Sequence, residues 1–153
     1  MTNQIDVDIQ FLHDLWQDFP LAYATSEAVG LDLRACITEA VLDFTPGQRQ
    51  AVPAGIALQI NEPGYAGFVF SRSGLGTKKG LVVSQGVGVI DPDYRGEVIV
   101  SLLNTSSQNQ TIERGERVAQ LLFMPAAQAH LRHVDSLHAT PRGSGGFGHS
   151  GRW

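Results

Sequence analysis

Apolar residues recur at every second position over several short stretches, and this alternation limits the possible folds more than any other feature of the chain. Successive side chains of a β-strand point to opposite faces, so a period of two is typical of strands with one buried face. The alternation is found at Ile5, Val7, Ile9 and Phe11, at Ile56, Leu58 and Ile60, and at Val98, Val100 and Leu102. Two denser apolar runs, 67–71 and 118–124, predict strands that are buried on both faces.

Turn-forming residues separate these stretches and complete the prediction of fold class. Combinations of Pro, Gly and Asp or Glu occur at 45–47, 62–64, 91–93 and 113–116. Roughly ten short strands result, a number typical of sandwiches and jelly rolls. Residues 11–19 can form a turn or two of helix before Pro20. We therefore predict an all-β domain over residues 1–135, with one short helix at 71–80, followed by a flexible glycine-rich arm at 136–153.

Charge and cysteine content exclude several classes of function. The formal net charge is −4, so the chain has no broad basic surface for nucleic acid. Cys36 is the only cysteine, which rules out an intrachain disulfide and favours a reducing compartment. Neither a signal peptide nor an apolar run of membrane-spanning length is present in the sequence. We expect a soluble cytoplasmic protein that binds neither nucleic acid nor a membrane.

Glycine is concentrated in two places, which suggests turns or close approach of the backbone to a ligand. Thirteen of the 17 glycines lie in residues 64–96 and 143–151. The segment SRSGLGTKKG (71–80) combines Arg72, Ser73 and Gly74 at a predicted helix start. A guanidinium, a hydroxyl and free backbone N–H groups suit a phosphate. The alternative is a capped helix that carries a surface arginine.

The segment GVGVIDPDYRGE (86–97) is interpreted as a β-hairpin, with DPDYRG as its turn. Asp91 either caps this turn or acts as a general base, since an isolated aspartate with a pKa of about 3.9 is ionised at neutral pH. The sequence contains no zinc-ligand spacing, nucleophile elbow or Walker-type loop. For an enzyme of phosphate chemistry, water is therefore the expected nucleophile.

Two further segments place polar residues in apolar strands. In GLDLRA (30–35), Asp32 is on a solvent face or is paired with Arg34 or with a ligand. In GERVAQLLF (115–123), either Arg117 or Gln120 is expected to meet a polar partner, because a buried amide needs one.

In chain order, GLDLRA, SRSGLGTKKG, GVIDPDYRGE, GERVAQLLF and RGSGGFGHSG (142–151) resemble the five motifs of the trimeric dUTPase family in its bacterial form. The resemblance begins at YATSEAVGLDLRA (23–35) and extends to the arm. It implies a jelly-roll-like subunit, a homotrimer and active sites shared between subunits. It also implies hydrolysis of dUTP to dUMP and pyrophosphate with Mg²⁺, which keeps uracil out of DNA and supplies dUMP for thymidylate synthesis.

The resemblance assigns roles to particular residues. Asp91 would activate the water that attacks the α-phosphate. Mg²⁺ would be held by phosphate oxygens and water without a direct protein ligand, with Asp32 as a possible indirect contact. The residues expected to contact phosphates are Arg72, Ser73, Gly74 and Gln120.

Base and sugar recognition are implied in the same way. Tyr94 would pack under the deoxyribose and exclude a 2′-hydroxyl, and uracil would enter the segment 86–99. The uracil is expected to meet backbone groups near Val89, Ile90 and Ile99. Several bacterial relatives carry asparagine at position 85, where this chain has Gln85, so the longer amide is a departure that bears on base reading.

The glycine-rich arm would close over the active site of a neighbouring subunit. Arg142 would pair with the γ-phosphate and Phe147 would stack on uracil. Two alternatives remain open: a dCTP deaminase of the same superfamily, monofunctional or bifunctional, and a non-catalytic nucleotide-sensing module on the same fold.

Overall fold

A computed structural model describes residues 4–146 of the chain. Eleven strands and two short helices lie within this range. The strands are β1 (Val7–Phe11), β2 (Leu31–Arg34), β3 (Val41–Phe44), β4 (Arg49–Pro53), β5 (Ile56–Ile60), β6 (Tyr65–Ser71), β7 (Leu81–Val83), β8 (Val87–Ile90), β9 (Ile99–Asn104), β10 (Gln110–Glu113) and β11 (Arg117–Pro125). The helices are α1 (Leu15–Asp18) and α2 (Ser73–Lys79).

All the paired strands are antiparallel, and the sheets form a jelly-roll-like fold as predicted. The largest sheet has the order β2-β11-β6-β8, and a three-stranded sheet has the order β4-β9-β7. Two-stranded sheets pair β1 with β5 and β3 with β10. Strands distant in the sequence are neighbours in space, as an all-β sandwich requires.

The core lies between the sheets and takes one face of most strands. Phe44, Leu33, Ile56, Leu81 and Leu102 are fully buried, at 0% exposure. Burial of a side chain of this size contributes about 1.5–3 kcal/mol. Ile56 in β5 and Leu102 in β9 belong to the alternating stretches, so the period of two identified these two core positions, whereas Phe11 of the first stretch is 53% exposed.

Asn104 is a fully buried polar residue at the end of β9, and its amide is satisfied. Its Nδ2 donates to the carbonyl oxygens of Phe44 and Gln108, at 3.0 and 2.7 Å. Its Oδ1 accepts from the backbone N–H of Ser106 at 2.9 Å. The amide therefore fixes the loop between β9 and β10 against β3.

Besides the helix predicted at 71–80, residues before Pro20 form a second short helix, which the sequence of 11–19 allowed. Helix α2 begins at Ser73, as expected, and ends at Lys79, where Gly80 caps it with φ +68°. Helix α1 is held by its own tertiary contacts: Trp16 is buried and its Nε1 donates to the Ala54 carbonyl at 3.0 Å. That contact decides the local structure, and a four-residue helix gives almost no periodic signal in the sequence.

The prediction that the dense runs at 67–71 and 118–124 are buried on both faces was wrong for the single subunit. Within β6 and β11, Val69 and Leu121 point into the core. Phe68, Phe70 and Leu122 lie on the opposite face and are only partly buried. In the β6–β11 register Leu122 lies opposite Phe68, and in the β6–β8 register Phe68 lies opposite Val89. The large sheet thus has an outward apolar face in an isolated chain.

The predicted hairpin at 86–97 is not formed. Strand β8 pairs with β6 in the four-stranded sheet, whereas β9 pairs with β4 and β7 in the three-stranded sheet. Residues 91–98 therefore cross from one sheet to the other. At the far end of this crossing, Val98 donates to the Ile56 carbonyl at 2.8 Å and accepts from the Ala54 N–H at 2.9 Å.

The regular structure ends at Pro125, before the domain boundary placed at residue 135. Residues 126–146 contain no strand or helix, and Leu131 and Leu137 are 87% and 88% exposed.

The longer of the two helices in residues 4–146 has seven residues, and no helix in that range could cross a membrane.

Candidate active site

A cavity of about 230 Å³ opens where β8 and β9 diverge into their separate sheets. Valine and isoleucine side chains form much of its wall, and four polar side chains line it. The polar residues are Gln85, Asp91, Tyr94 and Glu97. Six of the residues named from the sequence line this one cavity: Gln85, Val89, Ile90, Asp91, Tyr94 and Ile99.

Backbone hydrogen bonds set the position of Asp91 at the edge of the cavity. The Tyr94 N–H donates to the Asp91 carbonyl at 3.1 Å, which closes a turn. The turn is thus closed by the main chain of Asp91, and among residues 4–146 its carboxylate makes no side-chain hydrogen bond or ion pair. An exposed carboxylate on a fixed turn can accept a proton from a bound water molecule.

Tyr94 lies across the same turn. Its hydroxyl donates to the Glu97 carbonyl at 3.0 Å, and 46% of the residue is exposed. A methyl group added at Gly96 would lie 2.3 Å from the Tyr94 hydroxyl oxygen, so the glycine makes room for the ring. The ring is therefore held as one wall of the cavity.

Glu97 connects the cavity to the turn between β4 and β5, and the sequence analysis gave it no role. Its Oε1 accepts from the Gly55 N–H at 2.8 Å. Gly55 has φ +64°, and an added methyl would lie 2.7 Å from both Cys36 Sγ and His13 Cβ. A glycine is required there, and Glu97 anchors the crossing segment to that rigid turn. The signal available in the sequence was the position of Glu97, an acidic residue directly before the apolar stretch of β9.

A second group of polar side chains surrounds Asp32, on the edge of the large sheet. The Asp32 carboxylate pairs with Arg72 Nε through Oδ1 and with Arg117 Nη1 through Oδ2, each at 2.9 Å. The Asp32 side chain is 17% exposed, so both contacts are partly shielded from water. The sequence suggested Arg34 as a possible partner of Asp32, but the structure pairs Asp32 with Arg72 and Arg117 instead.

Arg34 has other contacts. Its Nη1 donates to the Gly115 carbonyl at 2.7 Å, and the guanidinium carbon lies 4.3 Å from the centre of the Phe19 ring. Burial lowers the pKa of the Arg34 guanidinium, and the nearby positive charge of Arg117 lowers it further. Arg34 therefore supports the sheet edge and the α1 region.

Gln120 lies between Asp32 and Phe70 in the sheet, as the register of β11 shows. It is half-buried, and an added methyl at Gly30 would lie 3.5 Å from its side chain. Gln120 therefore lies directly beside Asp32 on the same face of the sheet.

The start of α2 adjoins this group. Arg72 precedes the helix in extended conformation, and Ser73 and Gly74 form its exposed first turn. The Ser73 side chain makes no capping hydrogen bond, and a methyl added at Gly74 would meet nothing within 4 Å. The hydroxyl and the backbone at this helix start are open to an approaching ligand.

One predicted site residue, Arg142, is not brought to either group. The Nε of Arg142 donates to the Gly145 carbonyl at 3.0 Å within its own turn, and the residue is exposed. Phe147 lies outside the described residues. Between residues 4 and 146, no group of three His, Cys, Asp or Glu side chains could hold a metal ion.

The fold and the cavity place the chain in a class of jelly-roll-like all-β proteins with a polar ligand cavity between two sheets. The family follows from comparison with known proteins: residues 19–151 match the family model described as dUTPase. The chain belongs to the dUTPase family, which confirms the resemblance of its five motifs.

Curated relatives agree with this assignment. A deoxyuridine 5′-triphosphate nucleotidohydrolase of Idiomarina loihiensis is 49% identical over 95% of this chain and 97% of its own. The protein of the same name from Enterobacter sp. is 48% identical over the same shares.

Solved structures support the fold. A dUTPase of Staphylococcus bacteriophage 80alpha with dUpNHpp has a TM-score of 0.82 at 22% identity, covering 95% of this chain and 98% of its own. The dUTPase of Streptococcus mutans has a TM-score of 0.63 at 32% identity over 71% of this chain and 87% of its own. A dUTPase from phage phi11 of S. aureus, described as coordinating a structural Mg(II) ion, has a TM-score of 0.75 at 19% identity over 88% of this chain and 99% of its own.

Proposed function

We propose that the cavity and the Asp32 group carry out in this chain the reaction that its family and curated relatives define. The chain is a dUTP diphosphatase, which converts dUTP and water to dUMP and pyrophosphate. The observation that carries the assignment of residues is the Asp91 carboxylate: it lies at the edge of the cavity of about 230 Å³ lined by Tyr94 and Gln85, and it has no side-chain partner among residues 4–146.

Asp91 acts as the general base. It orients a water molecule and takes one of its protons as the water oxygen attacks the α-phosphorus. A bond forms between that oxygen and phosphorus, and the bond from phosphorus to the bridging oxygen breaks. Pyrophosphate leaves with the bridging oxygen and the electron pair of the broken phosphorus–oxygen bond. The fixed turn holds Asp91 in place without stabilising its charge through a side-chain partner.

Arg72 supplies positive charge to the triphosphate. Its Nε donates to Asp32 and its Nη1 donates to the Arg117 carbonyl at 3.2 Å, whereas Nη2 has no hydrogen-bond partner among residues 4–146 and can donate to a phosphate. A guanidinium fixed by its neighbours loses little further freedom on binding a phosphate. Ser73 and Gly74 add a hydroxyl and exposed backbone, and Gln120 assists from the adjacent strand.

The donor set of the chain fits Mg²⁺ that is held by phosphate oxygens and water. Both Asp32 oxygens are occupied by arginines, so this carboxylate can affect a metal only at a distance. Asp91 at the cavity edge can hold a water molecule of such an ion. When bound, Mg²⁺ offsets phosphate charge as it develops.

Tyr94 and the cavity wall select the nucleoside. The ring of Tyr94 lies against the deoxyribose and leaves no room for a 2′-hydroxyl, so UTP is rejected. Uracil enters beside Val89, Ile90 and Ile99, whose backbone groups imitate a pairing partner. The close fit excludes the methyl group of thymine, and Gln85 adds a side-chain amide to the base site.

We propose that the functional unit is a homotrimer with shared active sites, in the cytoplasm. Three features of the single chain support this assembly. The large sheet has an outward apolar face, the predicted site residues fall into two groups, and Arg142 reaches neither of them. A neighbouring chain would cover the face and bring its glycine-rich arm, residues 136–153, over the site. Arg142 would then bind the γ-phosphate and Phe147 would stack on uracil.

Pyrophosphate release with dUTP, dCTP, dTTP and UTP tests the proposal directly. We expect strong preference for dUTP, and Asp91→Asn should lower kcat by roughly 10²–10⁴-fold. Deamination of dCTP would favour the deaminase alternative, and tight binding without turnover would favour the sensing module. Normal turnover by Asp91→Asn would leave Asp91 as a turn residue.

Complementation tests the shared site. A chain that ends at Pro141 lacks the arm and should be inactive, and so should full-length Asp91→Asn. When the two are refolded together, mixed trimers would contain sites with an intact Asp91 from one chain and an intact arm from another. Activity above the sum of the parents is expected. Its absence, with subunit mixing confirmed by mass, would confine the arm to its own chain.

A further inference from the structure

A short series of serine hydroxyls ends on the amide of Gln85, which lines the cavity. Ser84 Oγ lies 3.0 Å from Gln85 Oε1 and 2.7 Å from Ser101 Oγ. The backbone joins the same residues, since the Ser84 N–H donates to the Ser101 carbonyl at 2.8 Å. Ser84 follows β7 and Ser101 belongs to β9, so two strands position the amide.

The hydrogen bonds that link Ser101, Ser84 and Gln85 have a preferred direction of donation. A serine hydroxyl has one hydrogen, so when Ser84 donates to Gln85 Oε1, Ser101 must donate to Ser84. In the opposite direction, Gln85 Nε2 would donate to Ser84 and Ser84 to Ser101. The Ser101 hydrogen would then have no partner within this group of three side chains, so the first direction satisfies one more hydroxyl hydrogen.

The direction of these hydrogen bonds determines which atom of the Gln85 amide faces the ligand. With Oε1 engaged by Ser84, Nε2 lies over Gly88, where an added methyl would be 3.4 Å from it. Gly88 and Gln85 both line the cavity, so Nε2 presents its hydrogens there. An N–H₂ donor in that position can donate a hydrogen bond to a carbonyl oxygen of a base. It cannot form one with an exocyclic amine, because both groups are then donors.

We propose that Ser84 and Ser101 are positioning residues that set the orientation of the Gln85 amide and thereby make the site select uracil over cytosine. Uracil has a carbonyl oxygen at position 4, where cytosine has an amine. Without the serines the amide can rotate, present Oε1 and accept a hydrogen bond from the cytosine amine. The inference rests on the proposed dUTP hydrolysis and adds the means by which this chain reads the base with a glutamine.

The experiment compares kcat/KM for dUTP and dCTP in wild type, Ser84→Ala, Ser101→Ala and Ser84→Thr. Loss of one hydrogen bond predicts that Ser84→Ala lowers the dUTP preference by about 5–10-fold, chiefly through KM. Ser101→Ala should shift it in the same direction by less. Ser84→Thr keeps the hydroxyl and should retain the wild-type ratio.

A second background separates orientation from structural damage. In Gln85→Leu the amide is absent, so adding Ser84→Ala should change the dUTP-to-dCTP ratio by less than about twofold. The same variants in an Asp91→Asn background allow the affinities for dUTP and dCTP to be measured without turnover. The ratio of these affinities should change in the same way. An unchanged ratio in Ser84→Ala, or an equal effect of Ser84→Ala in both backgrounds, overturns the inference. Failure of the wild type to hydrolyse dUTP would instead overturn the proposed function.

Discussion

Replacing Asp32 by asparagine is expected to destabilise the subunit and weaken phosphate binding together. The Asp32 carboxylate binds Arg72 and Arg117, and their side chains are 25% and 46% exposed. A hydrogen bond to a charged group contributes about 1.5–3 kcal/mol, which applies to the shielded Arg72 contact. The more exposed Arg117 contact is expected to add at most about 0.5 kcal/mol, because water screens it.

The free energy of unfolding of Asp32→Asn should therefore fall by about 2–3 kcal/mol. Asparagine keeps one acceptor but directs an N–H₂ group at one guanidinium, so Arg72 also loses its fixed position. We expect KM for dUTP to rise by about tenfold, which corresponds to roughly 1.4 kcal/mol.

Urea unfolding measures the first effect, at equal protein concentrations because an oligomer gains stability with concentration. Asp43→Asn is a matched control: it removes the same charge from an exposed residue of β3 whose carboxylate has no ion pair among the described residues. If Asp32→Asn and Asp43→Asn differ by less than about 0.5 kcal/mol and share one KM, the Asp32 group has neither role.

Three further perturbations test other contacts. Tyr94→Phe loses the hydrogen bond to Glu97 but keeps the ring, so steady-state kinetics should show intact rejection of UTP, whereas Tyr94→Ala should lose most of it; equal discrimination by both variants would remove Tyr94 from sugar selection. Gly55→Ala should lower the unfolding free energy by about 2–4 kcal/mol, from positive φ and overpacking, in urea titrations; a change below about 1 kcal/mol would contradict the crowding described. Burial raises the pKa of the Cys36 thiol to about 11, so iodoacetamide at pH 8 should label it slowly in the native protein and rapidly in urea. The folded state favours the protonated thiol, so the contribution of the thiol to stability is complete below about pH 9 and is lost towards pH 11. If Cys36→Ala and the wild type lose the same stability between pH 9 and pH 11, this reasoning is refuted.

Local patterns in the sequence predicted the strands and the members of the cavity well. The alternation at Ile56, Leu58 and Ile60 depends only on neighbouring residues, and the segment around Asp91 lies in one short stretch of chain. Six predicted residues therefore line a single cavity.

Long-range pairing was harder to predict. Alternation does not specify a partner, so β8 and β9 were joined in a hairpin although they belong to different sheets. The partner of Asp32 was missed for the same reason: Arg72 follows β6, and only the order β2-β11-β6 brings the two together. No role was predicted for Glu97, because its contact is with Gly55, more than 40 residues away in the sequence.

The passage of residues 91–98 from one sheet to the other has a consequence for folding. Because the cavity has one wall on β8 and another on β9, neither sheet alone can form it. If nucleotide binds in this cavity as proposed, a partly folded chain with one sheet in place would have no binding site, and ligand affinity would report on the docking of the two sheets. A nucleotide that spans them should slow the opening of the sandwich more than the fraying of either sheet edge, which hydrogen exchange of individual amides can distinguish.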